Sequence, residues 1–235
     1  MSIYDKKMTE QYYETVGDDF NKNEDTDFQK RFNELFYSQK VENKNVLDLG
    51  CGNGRYAEFF CRKQAKKVVG TDFNDSMIDL ANKRKKEKQL KQMEVIKADM
   101  NDMETKEGAF DFIFSYFSLV HAEDIEKVMS DLGRMLFVGG EILIATSIIL
   151  PSGEEKIKEL PRKSVPVIIN INDKEVKVDD FIYTTEEYKS AVEKSGLKIE
   201  IMEEFSTEEI SIDPSFPNKD AFNLKYCIIK AKRGV

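Results

Sequence analysis

The residues best suited to chemistry stand together in Val46-Leu47-Asp48-Leu49-Gly50-Cys51-Gly52-Asn53-Gly54-Arg55. A short apolar run enters three glycines spaced G-x-G-x-G, and a helix-compatible stretch follows at once. Glycines at such a turn let the backbone take positive φ and approach a ligand with no Cβ in the way. The helix start adds unsatisfied N–H groups. Many folds share a strand–glycine loop–helix, so this much says only that the ligand is nucleotide-like. Arg55 stands where G-x-G-x-x-G has its last glycine, the one dinucleotide enzymes use for close helix packing, which disfavours a nicotinamide cofactor. Asp48, just ahead of the first glycine, would repel a pyrophosphate and suits a ligand bearing an ammonium group.

Two further carboxylates fall at the ends of later apolar runs. Asp72 closes Val68-Val69-Gly70-Thr71-Asp72-Phe73, 22 residues after Gly50. That offset places it at a strand's C-terminal end, where it can accept bonds from both hydroxyls of a ribose. Asn74 and Asp75 remain to cap the helix that follows. Asp99, in Lys97-Ala98-Asp99-Met100, is placed to accept from the exocyclic amine of a purine, with Met100 packing on the ring. The only histidine, His121, comes after the fourth apolar run in Ser115-Tyr116-Phe117-Ser118-Leu119-Val120-His121. It is read either as a base or acceptor-orienting group or as a structural residue beside a helix start. Tyr116 and Phe117 are expected to shape a substrate pocket, with packing in the core as the alternative.

The elements that must position these residues follow from hydrophobic periodicity. Val46–Leu49, Val68–Gly70, Met93–Ala98, Phe110–Ser115 and Glu141–Thr146 read as strands, and 54–65, 75–90 and 123–136 as helices. Strands alternating with helices of that length imply right-handed βαβ units and a parallel sheet. Upstream, Phe28, Phe32, Leu35 and Phe36 recur at helical spacing. Downstream the rhythm breaks: 151–183 carries Pro151, Pro161 and Pro166 and a hairpin of Val167–Ile171 and Glu175–Val178 turning near Asn172-Asp173. Pro161, Val165, Val167, Ile169 and Phe181 of this segment are possible pocket lining. Thr184-Thr185-Glu186-Glu187 then starts a helix that Gly196 stops, and Leu197–Met202 and Asn223–Lys230 are the last strands. The expected division is an N-terminal helical cap (1–43), a cofactor-binding core (44–150), an inserted cap (151–183) and a C-terminal helix with strands (184–235).

Composition weighs against several classes. A net charge of −8 and a pI near 5.0 give little of the clustered basic surface on which phosphate binding draws. The one basic run, Lys83-Arg84-Lys85-Lys86 with Lys88 and Lys91, is interleaved with Glu87 and Gln89 and reads as a solvated helix face. A nucleic-acid partner is therefore disfavoured. No run approaches the roughly 18 apolar residues of a membrane span, and polar, acidic residues 1–30 fit neither a secretory nor a transit peptide. A cytoplasmic protein is expected. Cys51, Cys61 and Cys227 show neither metal-ligand spacing nor an even disulfide set, so no metal site is expected.

Taken together, Val46 to Phe60, the Asp72 and Ala98-Asp99 motifs, Phe110-Asp111-Phe112-Ile113 leading to Ser115, and Arg134-Met135-Leu136-Phe137-Val138-Gly139-Gly140 resemble class I S-adenosylmethionine-dependent methyltransferases. The resemblance spans 44–147. It extends weakly to Tyr13-Glu14-Thr15-Val16-Gly17-Asp18-Asp19-Phe20-Asn21, which looks like the family's N-terminal cap segment. Val138 departs from the family's usual Pro before the two glycines. What the resemblance implies is a doubly wound, Rossmann-like α/β fold with a seven-stranded sheet in the order 3-2-1-4-5-7-6, the last strand antiparallel. It further implies S-adenosylmethionine as cofactor and S-adenosylhomocysteine as product. Asp48 and Gly50, Cys51, Gly52, Asn53 and Gly54 would hold the methionine part, Asp72 the ribose, and Phe73, Asp99 and Met100 the adenine, with Met77 also among the cofactor-binding residues. Ser115 would border the sulfonium, Tyr13 and Phe20 would close over the cofactor, and Arg31 would meet the methionine carboxylate or remain a surface charge. The expected function is methyl transfer to a small-molecule acceptor by a protein that can form a homodimer. The alternatives are a non-catalytic S-adenosylmethionine-binding protein and a methyltransferase acting on protein or RNA. An Asn/Asp-Pro-Pro-Tyr/Phe string, which grips planar amides and adenine amines in related families, is absent after the fourth strand, and Ser115-Tyr116-Phe117-Ser118 stands there instead.

Overall fold

Alternation along short strands splits the core into two layers, because successive side chains leave a strand on opposite faces. In β1 (Asn45–Leu49) and β4 (Phe110–Tyr116), Val46, Phe112 and Phe114 join one apolar cluster, while Leu47, Leu49 and Ile113 join another. The computed structural model describes residues 26–103, 106–151, 165–171, 174–208, 210–212 and 222–234. The first layer carries α1 (Asp27–Tyr37), α2 (Arg55–Arg62) and α3 (Asp75–Glu87), and the second carries α4 (Ile125–Met135) and α5 (Thr185–Lys194).

Between the layers lies a seven-stranded sheet. It comprises β1, β2 (Lys67–Asp72), β3 (Met93–Lys97), β4, β5 (Leu136–Pro151), β8 (Leu197–Ser206) and β10 (Phe222–Arg233). The order is β3-β2-β1-β4-β5-β10-β8. Counted within this sheet alone, that is the expected 3-2-1-4-5-7-6. β1 to β5 pair in parallel, and β10 runs antiparallel to both β5 and β8.

The helices begin where side-chain chemistry satisfies their first N–H groups. Thr26 caps α1 by accepting from Gln29, and the helix buries Phe28, Phe32, Leu35 and Phe36. Burial of each of these large side chains is worth roughly 1.5–3 kcal/mol, enough to hold the helix to the sheet. Thr184 and Glu187 form a reciprocal capping box on α5.

Three features differ from the sequence expectation. β5 starts directly at the end of α4 and reaches Pro151, so it is far longer than 141–146. Its register against β4 shifts, with Phe110 opposite Leu136 and Phe112 opposite Glu141. The extra residues Phe137 to Gly140 form a bulge in which Val138 is 62% exposed, so a non-Pro residue there meets no packing demand. The inserted hairpin, β6 (Val165–Ile171) and β7 (Lys174–Asp180), gains a third strand, β9 (Ile210–Ile212), to make a separate sheet β7-β6-β9. Its turn near Asn172-Asp173 lies outside the described residues. Finally, the basic run on α3 is not uniformly solvated. Arg84 turns inward, donating from Nε to the Asn53 carbonyl at 3.0 Å and pairing with Glu58 at 3.0 Å.

Gly50 illustrates how tightly the turn after β1 is built. It sits at φ +67°, and a Cβ there would lie 2.2 Å from the Ser118 Cβ. Gly50→Ala therefore combines overpacking (about 1–3 kcal/mol) with a left-handed alanine (about 1–2 kcal/mol). A loss of about 2 kcal/mol lowers Tm by about 4–8 °C in a domain of this size. Thermal unfolding that stays within a degree of wild type would contradict this packing.

Candidate functional site

The C-terminal ends of β1, β2, β3 and β4 form one rim, and the acids expected at it are held there by backbone donors. Asp72 is buried, with Oδ2 accepting from the Gly52 N–H at 2.9 Å and Oδ1 from the Asn74 N–H at 3.0 Å. Burial still pushes its pKa above the usual carboxylate value, against these bonds. Asn74 caps α3 through the N–H groups of Ser76 (2.9 Å) and Met77 (3.2 Å), which leaves Asp72 to the glycine turn. The Cys51 N–H donates to Thr71 at 2.8 Å and completes the tie between β2 and the turn. Asn53 accepts from the Arg55 N–H at 3.2 Å. Gly54 takes the close-packing role that Arg55 cannot, since a Cβ on it would come within 3.2 Å of the Ala81 Cβ.

Gly52 is different. At φ +52°, a Cβ there would find only the Met77 Sδ, at 4.0 Å. The turn is thus open to a ligand at this residue. Beside it, Asp48 is 1% exposed and accepts from the Ala57 N–H, and its Oδ2 has no hydrogen-bond partner among the described residues. The Thr71 hydroxyl has none there either. Burial pushes the Asp48 pKa up to about 8, and the nearby Asp72 charge adds to the rise. A buried, half-satisfied carboxylate beside an open backbone matches a cationic group at the end of a ligand.

The other expected residues divide. Asp99 is exposed and accepts from the Asn101 N–H and from its Nδ2, both at 2.9 Å, while Met100 is buried. Asn101 was missed by sequence reasoning. It accepts from the Glu123 N–H at 2.8 Å and donates to the His121 carbonyl at 3.2 Å, joining the loops after β3 and β4. Ser115 is fully buried, its hydroxyl 2.6 Å from that of Ser118, which donates to the Leu49 carbonyl at 2.8 Å. Arg31 is engaged by carboxylates of the protein itself. Its guanidinium forks onto Glu203 of β8, both bonds at 2.9 Å, and pairs with Glu34 at 2.7 Å. Tyr13 and Phe20 lie outside the described residues.

Tyr116 and Phe117 enter an aromatic cluster. Tyr116 lies 4.7 Å from Phe32 and 5.1 Å from Tyr56 between ring centroids, and its hydroxyl donates to Gln29 at 3.3 Å. Phe117 packs edge-on to Tyr116 and Tyr226, at 4.8 Å from each. It holds φ +51°, a left-handed conformation unfavourable for a bulky residue and found preferentially at functional sites. Of the possible lining in the inserted segment, Val165 and Val167 are buried, Val167 in this same cluster, and Phe181 is half-buried. Pro161 and the Ile169 side chain lie outside the described residues.

His121 ends a 3-10 turn, Leu119–His121, with its ring centroid 6.3 Å from that of Phe73. Its Nδ1 lies 3.6 Å from Oδ1 of Asp180, at the end of β7. Burial pushes the imidazole pKa down to about 4, so the ring is neutral at pH 7. Asp180 carried no motif and no spacing signal in the sequence. Among the described residues, no group of three or more His, Cys, Asp or Glu side chains is placed to hold a metal ion, and no helix is long and apolar enough to cross a membrane.

Comparison with known proteins bears on this geometry directly. Residues 46–140 match the model of a family described as Methyltransferase domain. The chain is 27% identical over 188 residues to a sterol 24-C-methyltransferase of Debaryomyces hansenii, covering 78% of this chain and 48% of that protein. It is 28% identical over 102 residues to a demethylmenaquinone methyltransferase of Oceanobacillus iheyensis, covering 43% of each. The chain thus spans about half the length, or less, of the curated relatives it matches. In fold it resembles an S-adenosylmethionine-dependent methyltransferase from Mesorhizobium loti, with a TM-score of 0.62 at 17% identity over 87% of this chain and 97% of that one. Residues 46–140 thus resemble a methyltransferase domain, and the fold is the one seen in S-adenosylmethionine-dependent methyltransferases.

Asp48 also makes a stability prediction. Its folded pKa of about 8 lies above the unfolded value of 3.8, so its contribution is fully present below pH 3.8 and is lost as pH rises to about 8. Asp48→Asn keeps an acceptor for Ala57 and removes the buried charge. The ligand-free variant should melt at least about 2–4 °C higher than wild type at pH 8, the shift made by roughly 1 kcal/mol. The gain should vanish toward pH 4. A variant less stable at both pH values would refute the burial argument.

Proposed function

We propose that the protein transfers a methyl group from S-adenosylmethionine to an oxygen, nitrogen or sulfur atom of a small molecule. The observation that carries this reading is the buried Asp48 carboxylate, with one oxygen unpartnered among the described residues, next to the open face of Gly52. In this reading Asp48 receives the cofactor's ammonium and the glycine turn lies along its methionine chain. Asp72 accepts from the ribose hydroxyls, and Phe73, Met77 and Met100 flank the adenine, with Asp99 beside its amine. Tyr116 and Phe117, held by the aromatic cluster, form the acceptor side. The names of two curated relatives specify a sterol and a demethylated menaquinone, both small molecules, which supports an acceptor of that class.

When bound, the cofactor supplies an electrophilic methyl on a sulfonium. The protein's part is to align the acceptor with that methyl and to keep bulk water out. No covalent enzyme intermediate is needed, and the chemistry asks little more than geometry from the residues at the rim.

Two variants test the cofactor assignment by calorimetry. Asp72→Ala should weaken S-adenosylmethionine binding by about 1.5–3 kcal/mol, the range for a hydrogen bond to a charged group. Unchanged affinity in a folded variant would remove the ribose assignment. Gly52→Ala fills the open space at the turn and should reduce affinity at least about tenfold. A left-handed alanine costs the fold only about 1–2 kcal/mol, so the variant remains available for measurement. Full binding by it would move the cofactor elsewhere.

A further inference from the structure

Asp48 and Asp72 are two buried carboxylates on one rim with unequal provision. Asp72 takes an N–H on each oxygen, from Gly52 and from Asn74. Asp48 takes one, from Ala57 of α2, and its Oδ2 has no hydrogen-bond partner among the described residues. The sheet explains the difference. Asp48 stands opposite Gly70 on β2 and Phe114 on β4, so neither flanking strand sets a donor side chain beside it. It is 1% exposed, and bulk water does not make up the deficit. An approach is open along the glycine turn, where a Cβ on Gly52 would find only the Met77 Sδ at 4.0 Å.

The groups that face Asp48 offer it no positive charge. Asp72 faces it from β2, Cys51 from the turn, and Tyr56 and Cys61 from α2. Burial raises the pKa of both thiols and of the phenol, that of Cys61 to about 12, so all three are neutral at pH 7. The one charge among them is that of Asp72, and it is negative. Two carboxylates that repel each other out of water do not both ionise readily, and the one with fewer donors keeps its proton. Burial and the Asp72 charge, which together push the Asp48 pKa up to about 8, act in the same sense as this count of donors.

We propose that Asp48 holds a proton while the site is empty and gives it up when a ligand's ammonium group arrives, so that the site selects ligands bearing a cationic amine by exchanging one positive charge for another. This rests on the methyltransferase reading above and adds to it a proton that binding must displace. In the exchange the Asp48 O–H bond breaks, its electron pair stays on oxygen, and the proton passes to solvent. The ammonium keeps its own protons and donates one of them to the oxygen thus freed. A ligand with adenine and ribose but no amine leaves Asp48 protonated and gains nothing from it. The carboxylate is therefore ionised only in the company of the charge that compensates it.

Calorimetric titration of the full chain with S-adenosylhomocysteine, at about pH 6.5 in two buffers of different ionisation enthalpy, counts the protons exchanged. The wild type should release about one proton per ligand bound, and its affinity should rise about tenfold per pH unit between about pH 6 and pH 7. Asp48→Asn should release none and bind with an affinity flat over that range. 5′-Methylthioadenosine keeps the adenine, ribose and sulfur but lacks the amino-acid end, and it should bind the wild type with no proton released. Release retained in folded Asp48→Asn would overturn the proposal. So would release of the same size with methylthioadenosine, which would assign the proton to the ribose side of the site. If Asp48→Asn does not fold, the two ligands compared on the wild type decide alone. No binding of S-adenosylhomocysteine refutes the methyltransferase reading and the exchange together, whereas binding without release overturns the exchange and leaves that reading standing.

Discussion

Asp72 sets two turns at once, and the rim is organised around that double hold. One oxygen takes the N–H of Gly52 and the other takes that of Asn74, so the loop after β1 and the loop after β2 are fixed relative to each other by a single side chain. The arrangement works only because β1 and β2 pair in parallel register, Leu49 opposite Thr71, which brings both strand ends to the same level. Asp72 is too buried to be hydrated, and backbone dipoles replace the water it has lost. A carboxylate held in this way cannot swing aside, and whatever binds above the glycine turn meets it in a fixed place.

The aromatic cluster is held together by a different physical means. Phe28, Phe32 and Phe36 on α1 project to one side at intervals of four and meet Tyr56, Phe114, Tyr116 and Tyr226 on α2, β4 and β10. Offset and edge-to-face contacts of this kind add roughly 0.5–1.5 kcal/mol per pair beyond burial. Such packing is strong enough to hold Phe117 in a conformation that it would not adopt alone.

The cofactor half of the domain was legible in the sequence because its signals are local. The glycine spacing, the acids near the ends of β2 and β3 and the alternation of strand and helix each fall within a few residues, and the sheet order was implied by the resemblance they carry. The features that stayed hidden arise from pairings distant along the chain. Ile210–Ile212 is too short to read as a strand, and only its pairing with β6 makes it one. Arg84 sits in a run of like charges and differs from its neighbours only in facing the Asn53 carbonyl across 31 residues. Arg31, a partner for a ligand carboxylate in the sequence, finds two carboxylates of the protein itself. Asp180 is one acid among many until the hairpin folds against the loop after β4.

The Asp48 carboxylate has a kinetic meaning that its electrostatics does not at first display. Its open oxygen suits an ammonium group, and that group is unchanged when the methyl leaves sulfur. An interaction equally strong before, during and after transfer holds substrate, transition state and spent product alike, so it lowers the concentration at which the cofactor binds without speeding the reaction. Any preference for the methylated form must come from the other end of the rim, where the positive charge on sulfur is lost. On the proposed reading, a donor anchored through Asp48 would leave its by-product held by the same grip, and turnover would depend on how fast that by-product is cleared.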